Sequence, residues 1–247
     1  MFDPESPRCF LSVVIPAYQE ETRLRRSLPD LRNYLRNQNY SWEVIVVDDG
    51  SNDNTSKVPG EVFIESEAVQ VLENSKNRGK GYSVKQGVLA ANGELILISD
   101  ADFSTPIQEF EKLHAYLNEG WDIAIGSRSL VDSNIQVHQS WYREGMGRIF
   151  NVFVQMTVLT GYMDTQCGFK CFHKVQAIPI FSQMLVDGFC FDVEFLFIAK
   201  KRGLKIKEVP VQWQDVLQSR VNIVSEPIRM FLDLLCIRRN DRNGFYH

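Results

Sequence analysis

Three short apolar runs, each cut off by a turn-forming or acidic residue, constrain this chain more than any other feature. Leu11 to Ile15 stops at Pro16, Trp42 to Val47 stops at Asp48, Asp49 and Gly50, and Leu95 to Ser99 runs into Asp100, Ala101 and Asp102. Their length and β-branched content fit strands buried on both faces of a parallel sheet. Between the first two, Glu20 to Asn37 sets Leu24, Leu28, Leu31 and Leu35 at three- and four-residue steps with arginines opposite, the pattern of a helix lying on a core. The chain therefore opens as a β-α-β unit.

The alternation continues with a weaker strand at Ala68 to Leu72, a helix from Lys80 to Ala91 closed by Asn92 and Gly93, and a strand at Ile123 to Gly126. Beyond Arg128 a helix is expected over Tyr142 to Thr160, a loop over Gly161 to Cys171, and a helix over Asp192 to Arg202 closed by Gly203. A strand at Lys205 to Val211 and an amphipathic stretch, Glu226 to Arg239, follow. This alternation implies an α/β fold, a mostly parallel sheet with helices on both faces, in which ligands gather at the carboxyl ends of the strands. A chain of 247 residues, 44% hydrophobic, suffices for one such core. Residues 1–225 are read as that domain and 226–247 as an amphipathic basic tail.

No run reaches the roughly 18 apolar residues of a membrane span, and Met1 to Arg8 lacks the basic and apolar regions of a signal peptide. Five cysteines, an odd and scattered set, do not form a disulfide framework, so a reducing cytoplasm is expected. Cys167 and Cys171 are spaced to share a helix face, but without two further ligands at metal spacing they read as packing residues. From Lys200 onward ten Lys and Arg face five Asp and Glu, although the net charge is −4. Such a surplus serves either a solvated surface or attraction to phosphates and anionic lipid head groups. Nucleic acid is not an expected partner.

Asp48 and Asp49 stand on a turn at a strand end, with Gly50 permitting the tight geometry. Carboxylates there can accept the imide N–H of uracil or ribose hydroxyls, or they can cap the following helix; the residues alone leave both open. Asp100 and Asp102, two apart on an extended strand end, face the same side, so both can meet one hard cation that also holds a diphosphate. A helix-capping acidic turn before Pro106 is the other use for them.

Together with Val13-Val14-Ile15-Pro16-Ala17-Tyr18-Gln19-Glu20, these clusters resemble the family 2 glycosyltransferases of the GT-A fold, in order and over nearly the whole chain. Asn77-Arg78-Gly79-Lys80-Gly81, Gly126-Ser127-Arg128, Asp164-Thr165-Gln166-Cys167-Gly168-Phe169-Lys170 and Phe191-Asp192-Val193-Glu194 are similar to the polyprenyl-phosphate branch, dolichyl-phosphate β-glucosyltransferases above all. The resemblance implies a single GT-A domain that moves a hexose, glucose by that likeness, from a UDP-sugar to a polyprenyl phosphate with inversion. It implies Pro16, Tyr18, Glu20, Asp48 and Asp49 around uracil and ribose, Lys80 near the nucleotide, and Asp100 with Asp102 around the diphosphate and a metal, Mg2+ or Mn2+. Arg128 and Arg143 would hold the acceptor phosphate, a task suited to planar guanidinium forks.

Ser219-Arg220 stands where mannosyltransferase relatives have a Ser-Lys that meets the pyrophosphate, and Ser104 where they have a glutamine that assists the metal. Asp164 is the expected sugar-contacting carboxylate, or the base if the acceptor is a hydroxyl on a carbohydrate or protein. A lipid monophosphate needs no strong base, because near neutral pH it is mostly dianionic. A non-catalytic nucleotide-sugar binding protein is the third reading. Ile149 to Met163 and Ile228 to Ile237, the latter flanked by Arg229, Arg238, Arg239 and Arg242, are stretches for lying in a membrane interface; sheet packing and a contact between copies of the chain are the alternatives. A peripheral enzyme at the cytoplasmic face of a membrane is thus the expectation.

Overall fold

The computed structural model describes residues 9–137, 141–214 and 225–246. β1 (Leu11–Ala17) and β2 (Trp42–Asp48) lie parallel, joined by α1 (Glu21–Arg36), which buries Leu24, Leu28, Leu31 and Leu35 as their spacing requires. α2 (Val58–Val62), β3 (Val69–Glu73), α3 (Lys80–Ala90), β4 (Leu95–Ile98), α4 (Phe110–Asn118) and β5 (Ile123–Ser127) continue the alternation. β6 (Asn134–Val137), α5 (Trp141–Thr157), β7 (Lys170–His173), α6 (Lys174–Gln183), α7 (Phe191–Lys201), β8 (Ile206–Pro210), β9 (Gln212–Gln214) and α8 (Ser225–Arg242) complete it.

The main sheet runs in the order β3, β2, β1, β4, β7, β5, β8. Its pairings are parallel except those of β7, which runs antiparallel to both β4 and β5. β6 and β9 pair separately as a two-stranded ribbon. Because side chains alternate across a strand, Val14, Ile45 and Ile96 join the core shared with α3, α6 and α7, whereas Val13, Val44 and Leu97 join the core shared with α1 and α4. Each such fully buried aliphatic side chain contributes about 1.5–3 kcal/mol. A sheet covered on both faces leaves one open place for a ligand, the rim where its parallel strands end.

The expected loop from Gly161 to Cys171 ends early: Lys170 and Cys171 already belong to β7, and α6 follows directly. β7 is only four residues long and opens on a charged side chain, while α6 carries Pro179 inside it, so neither shows the usual sequence period. Cys167 and Cys171 do not share a helix. Cys171 lies on β7, and both are free, buried thiols on the α1 side of the sheet. α8 buries Leu234 and Ile237 and leaves Ile228, Phe231, Leu232 and Leu235 exposed. Among the described residues no helix is long and apolar enough to cross a membrane.

Candidate active site

A cavity of about 450 Å³ opens over the ends of β1, β2 and β4, and the residues walling it come from every segment the acidic turns had marked. At the end of β1 stand Pro16, Tyr18 and Glu20. The chain turns there through Gln19, whose φ of 53° is a conformation that costs a non-glycine residue energy and that ordinarily persists only where surroundings enforce it. The enforcing bonds are Gln19 N–H to Ser51 Oγ at 2.7 Å and Glu20 N–H to Thr55 Oγ1 at 2.9 Å. Glu20 meets Arg23 at 2.7 Å.

The two aspartates after β2 divide their work. Asp48 is buried, accepts from the Ser51 N–H at 3.0 Å and the Ser51 hydroxyl at 2.5 Å, and does not line the cavity. Burial pushes its carboxyl above the ordinary range against those bonds. Asp49 does line the cavity, but its oxygens accept from Asn74 Nδ2 at 2.8 Å, Arg78 N–H at 2.9 Å and Gly79 N–H at 2.8 Å. It thereby fixes the entry to α3, the helix-ordering use that the sequence left open. Asp48, expected around uracil and ribose, turns its carboxylate to Ser51, and of the two aspartates Asp49 is the one that walls the cavity.

Lys80, first in α3, brings its ammonium to Asp100 Oδ1 at 2.6 Å and lies 5.8 Å from the Phe191 ring centroid. Burial alone would raise the Asp100 carboxyl, yet the Lys80 charge and hydrogen bond hold it below the usual range. Asp102 is pushed up, by burial first and then by the charge of Asp100. Its Oδ1 accepts from Ser104 N–H at 3.0 Å and Ser104 Oγ at 2.9 Å, and the next residue, Phe103, takes φ 47°. Asp100 lies so tightly on Gly168 that a Cβ there would overlap its carboxylate.

On the far side, Arg128 leaves the end of β5 and is gripped side-on by Asp164: Nε to Oδ2 at 2.7 Å and Nη2 to Oδ1 at 2.9 Å, with the Arg128 N–H on Oδ2 at 3.0 Å. Burial opposes ionisation of Asp164, but Arg128 wins and holds it at about 2. Arg128 lines the cavity and lies 5.6 Å from the Trp213 ring centroid; Asp164 does not line it. Asp164, expected as a sugar contact or base, is thus the anchor of Arg128, and a carboxyl ionised to about pH 2 is a poor proton acceptor near neutrality. Arg220 and the side chain of Arg143 lie outside the described residues; only the backbone of Arg143, within α5, is described.

This arrangement sets two neighbouring carboxylates, one only partly compensated, against cations at either side. Residues 12–174 match the family model described as glycosyl transferase family 2. The chain belongs to that family. It is 38% identical over 247 residues to a dolichyl-phosphate beta-glucosyltransferase of Homo sapiens, spanning 95% of this chain and 76% of that one. It is 37% identical over 242 residues to one of Dictyostelium discoideum, spanning 93% and 74%. In fold, the transferase is similar to the solved structure of Mycobacterium tuberculosis glucosyl-3-phosphoglycerate synthase in complex with Mn2+, UDP and phosphoglyceric acid, with a TM-score of 0.70 at 16% identity over 96% of this chain and 79% of that one.

Several site residues escaped the sequence reading. Lys170 is buried and donates to Asp192 Oδ1 at 2.6 Å and Cys167 O at 2.5 Å, forming an ion pair behind Lys80 and Asp100. A lysine set between Phe169 and Cys171-Phe172 was a legible sign of burial. Phe189, Trp213 and Glu226 also wall the cavity of the transferase. Glu226 comes from α8, far along the chain, and no local pattern announces it.

Proposed function

We propose that this family 2 transferase moves glucose from UDP-glucose to the phosphate of a polyprenyl lipid, with inversion at the anomeric carbon. The observation that carries this reading is the Arg128–Asp164 pair. It engages the carboxylate that a hydroxyl acceptor would need as base, and it sets a fixed guanidinium in the cavity wall, opposite the acidic pair. A dianionic phosphate needs no base and does need a cationic seat. Guanidinium has five N–H donors, so donors remain after the side-on grip.

The residues fit a divalent metal. Asp100 and Asp102 offer hard oxygen ligands, and the raised carboxyl of Asp102 marks charge that a cation would relieve. Among the described residues no group of three or more acidic, His or Cys ligands forms, so a metal held here would take its other ligands from diphosphate oxygens and water. Mg2+ or Mn2+ bound between Asp100 and Asp102 would supply Lewis-acid neutralisation of the departing UDP. The chain's own residues do the rest. Tyr18 offers an exposed ring at the nucleotide end, Lys80 adds charge beside the diphosphate, and Arg128 aims the acceptor oxygen behind the anomeric carbon. Alignment and charge stabilisation then lower the barrier.

The lipid's tail needs an apolar neighbour. α5 exposes Ile149, Val152, Phe153 and Met156, α8 exposes Ile228, Phe231, Leu232 and Leu235, and Phe153 meets Phe231 at 5.4 Å. Arg238, Arg239 and Arg242 lie exposed on the last turns of α8. An apolar face edged with cations suits the interface of an anionic bilayer, and this reading seats the enzyme peripherally on the cytoplasmic face. Incubation with labelled UDP-glucose, UDP-galactose, UDP-GlcNAc or GDP-mannose, a polyprenyl phosphate and Mg2+ or Mn2+, followed by organic extraction, tests the proposal. Label in the organic phase from UDP-glucose alone is expected; transfer only to hydroxyl acceptors would overturn it.

A further inference from the structure

Glu194 closes the string Phe191-Asp192-Val193-Glu194, and the chemistry above does not use it. It is wholly buried. A carboxylate in that position is costly unless its lone pairs are filled. Oε1 accepts from the Leu185 N–H at 2.9 Å and the Tyr246 hydroxyl at 2.5 Å, and Oε2 accepts from the Val186 N–H at 2.9 Å. Tyr246 follows α8 and is itself 1% exposed. Its ring meets Phe197 edge-on at 6.0 Å, and its oxygen also accepts from Asn240 Nδ2 at 3.3 Å.

The two backbone N–H groups that Glu194 holds belong to the segment between α6 and α7, and this segment is seated on the start of α3. Lys85 Nζ donates to Met184 O at 2.8 Å and Tyr82 N–H to Asp187 O at 3.1 Å, while Arg78 pairs with Asp187 at 3.6 Å. The approach is close enough at Gly81 that a Cβ would come within 2.5 Å of Val186 O. The same segment supplies Phe189 to the cavity wall, and α3 begins with Lys80. A continuous series of contacts thus runs from Tyr246 through Glu194 and residues 185–189 to the ammonium that meets Asp100.

We propose that Glu194 and Tyr246 are positioning residues for the diphosphate end of the cavity: they fix residues 185–189, and through them Lys80 and Phe189, without touching substrate. This rests on the donor reading of the cavity. Lys80 reaches Asp100 from the first residue of α3, so a shift of that helix start displaces its charge directly. A contact with the diphosphate present both before and during reaction affects donor affinity and leaves turnover at saturation little changed.

The test compares Tyr246→Phe and Glu194→Gln with Lys201→Ala, which breaks the Lys201–Asp241 pair of 2.5 Å at the same end of α8. Calorimetry gives the Kd for UDP, steady-state assays give KM and kcat for UDP-glucose, and hydrogen exchange without nucleotide reads the amides of Leu185, Val186, Gly81 and Tyr82. Tyr246→Phe is expected to raise Kd and KM about threefold to tenfold, the range of one buried hydrogen bond, with kcat held within about twofold. Exchange should quicken at all four amides, and Lys201→Ala should change none of these readouts. Unchanged exchange in Tyr246→Phe, an unchanged UDP Kd, or an equal rise in Kd from Lys201→Ala at equal loss of Tm would overturn the proposal. Failure of the unmodified protein to bind UDP would reject the donor reading instead, and the exchange pattern would still judge the contact series.

Discussion

The cavity and the α5–α8 face treat polar and apolar groups in opposite ways. Around the cavity Asp48, Asp49, Asp100, Asp102 and Asp164 each already accept hydrogen bonds or ion pairs from protein donors, so the wall is ordered before substrate arrives. On the outer face Met156 is 78% exposed and Ile228 60%. The first region directs its interactions to shape, and the second leaves apolar area exposed. Preorganisation lowers reaction barriers because donors need not reorient as charge develops; unpartnered apolar area favours association with a surface.

The preorganised wall is most vulnerable at Asp164. Replacing it with Ala leaves the Arg128 guanidinium uncompensated, and urea denaturation should show a loss of about 3 kcal/mol, the low end for such pairs because Arg128 keeps one side on the cavity. A loss under about 0.5 kcal/mol, the size of an ordinary surface substitution, would mean that the wall is not preorganised by this pair. Asp102→Ala should reduce kcat/KM for glucosyl transfer on the order of 100-fold, the effect of removing one charge-stabilising group, with unfolding unchanged. Transfer within a few-fold of the parent rate would remove Asp102 from the donor site.

The same ion pair gives a pH signature. The Asp164 carboxyl stands at about 2 in the folded chain against an ordinary 3.8, so it binds its proton less readily folded than unfolded. Its stabilisation, about 2 kcal/mol, is therefore present above about pH 4 and is lost as pH falls towards 2. Unfolding free energies across that window should lose this slope in Asp164→Asn. The smallest expected effect belongs to the outer face: Leu232→Glu with Leu235→Glu should lower transfer to a long-chain polyprenyl phosphate in anionic vesicles about tenfold, with transfer to a short water-soluble acceptor nearly unchanged. Equal loss on both acceptors would show that the face serves folding.

What the sequence disclosed follows from period. β1, β2, β4 and α1 each repeat an apolar pattern long enough to declare its type, and the acids placed at their ends came together at one rim. Asp100 and Asp102 were legible in this way, whereas Lys80 and Arg128 were singled out by the resemblance to family 2 glycosyltransferases. β7 was not, because four residues beginning with a buried lysine carry no period, and its direction is set by its neighbours β4 and β5. The protein partners of Asp48 and Asp164 were not legible either. Residue type announces an acid, but whether it faces a ligand or a serine, a sugar or an arginine, depends on contacts between segments distant in sequence.

Gly168 offers no functional atom, yet the Asp100 carboxylate lies where a Cβ at that position would fall, so any side chain there would make that carboxylate turn aside. In a saturation library scored by turnover, alanine here is expected to lower activity by displacing the Asp100 carboxylate from Lys80 rather than by removing a chemical group. Intolerance to substitution therefore maps required emptiness as well as required chemistry, and separating the two at this rim needs a binding measurement for the metal rather than a count of survivors.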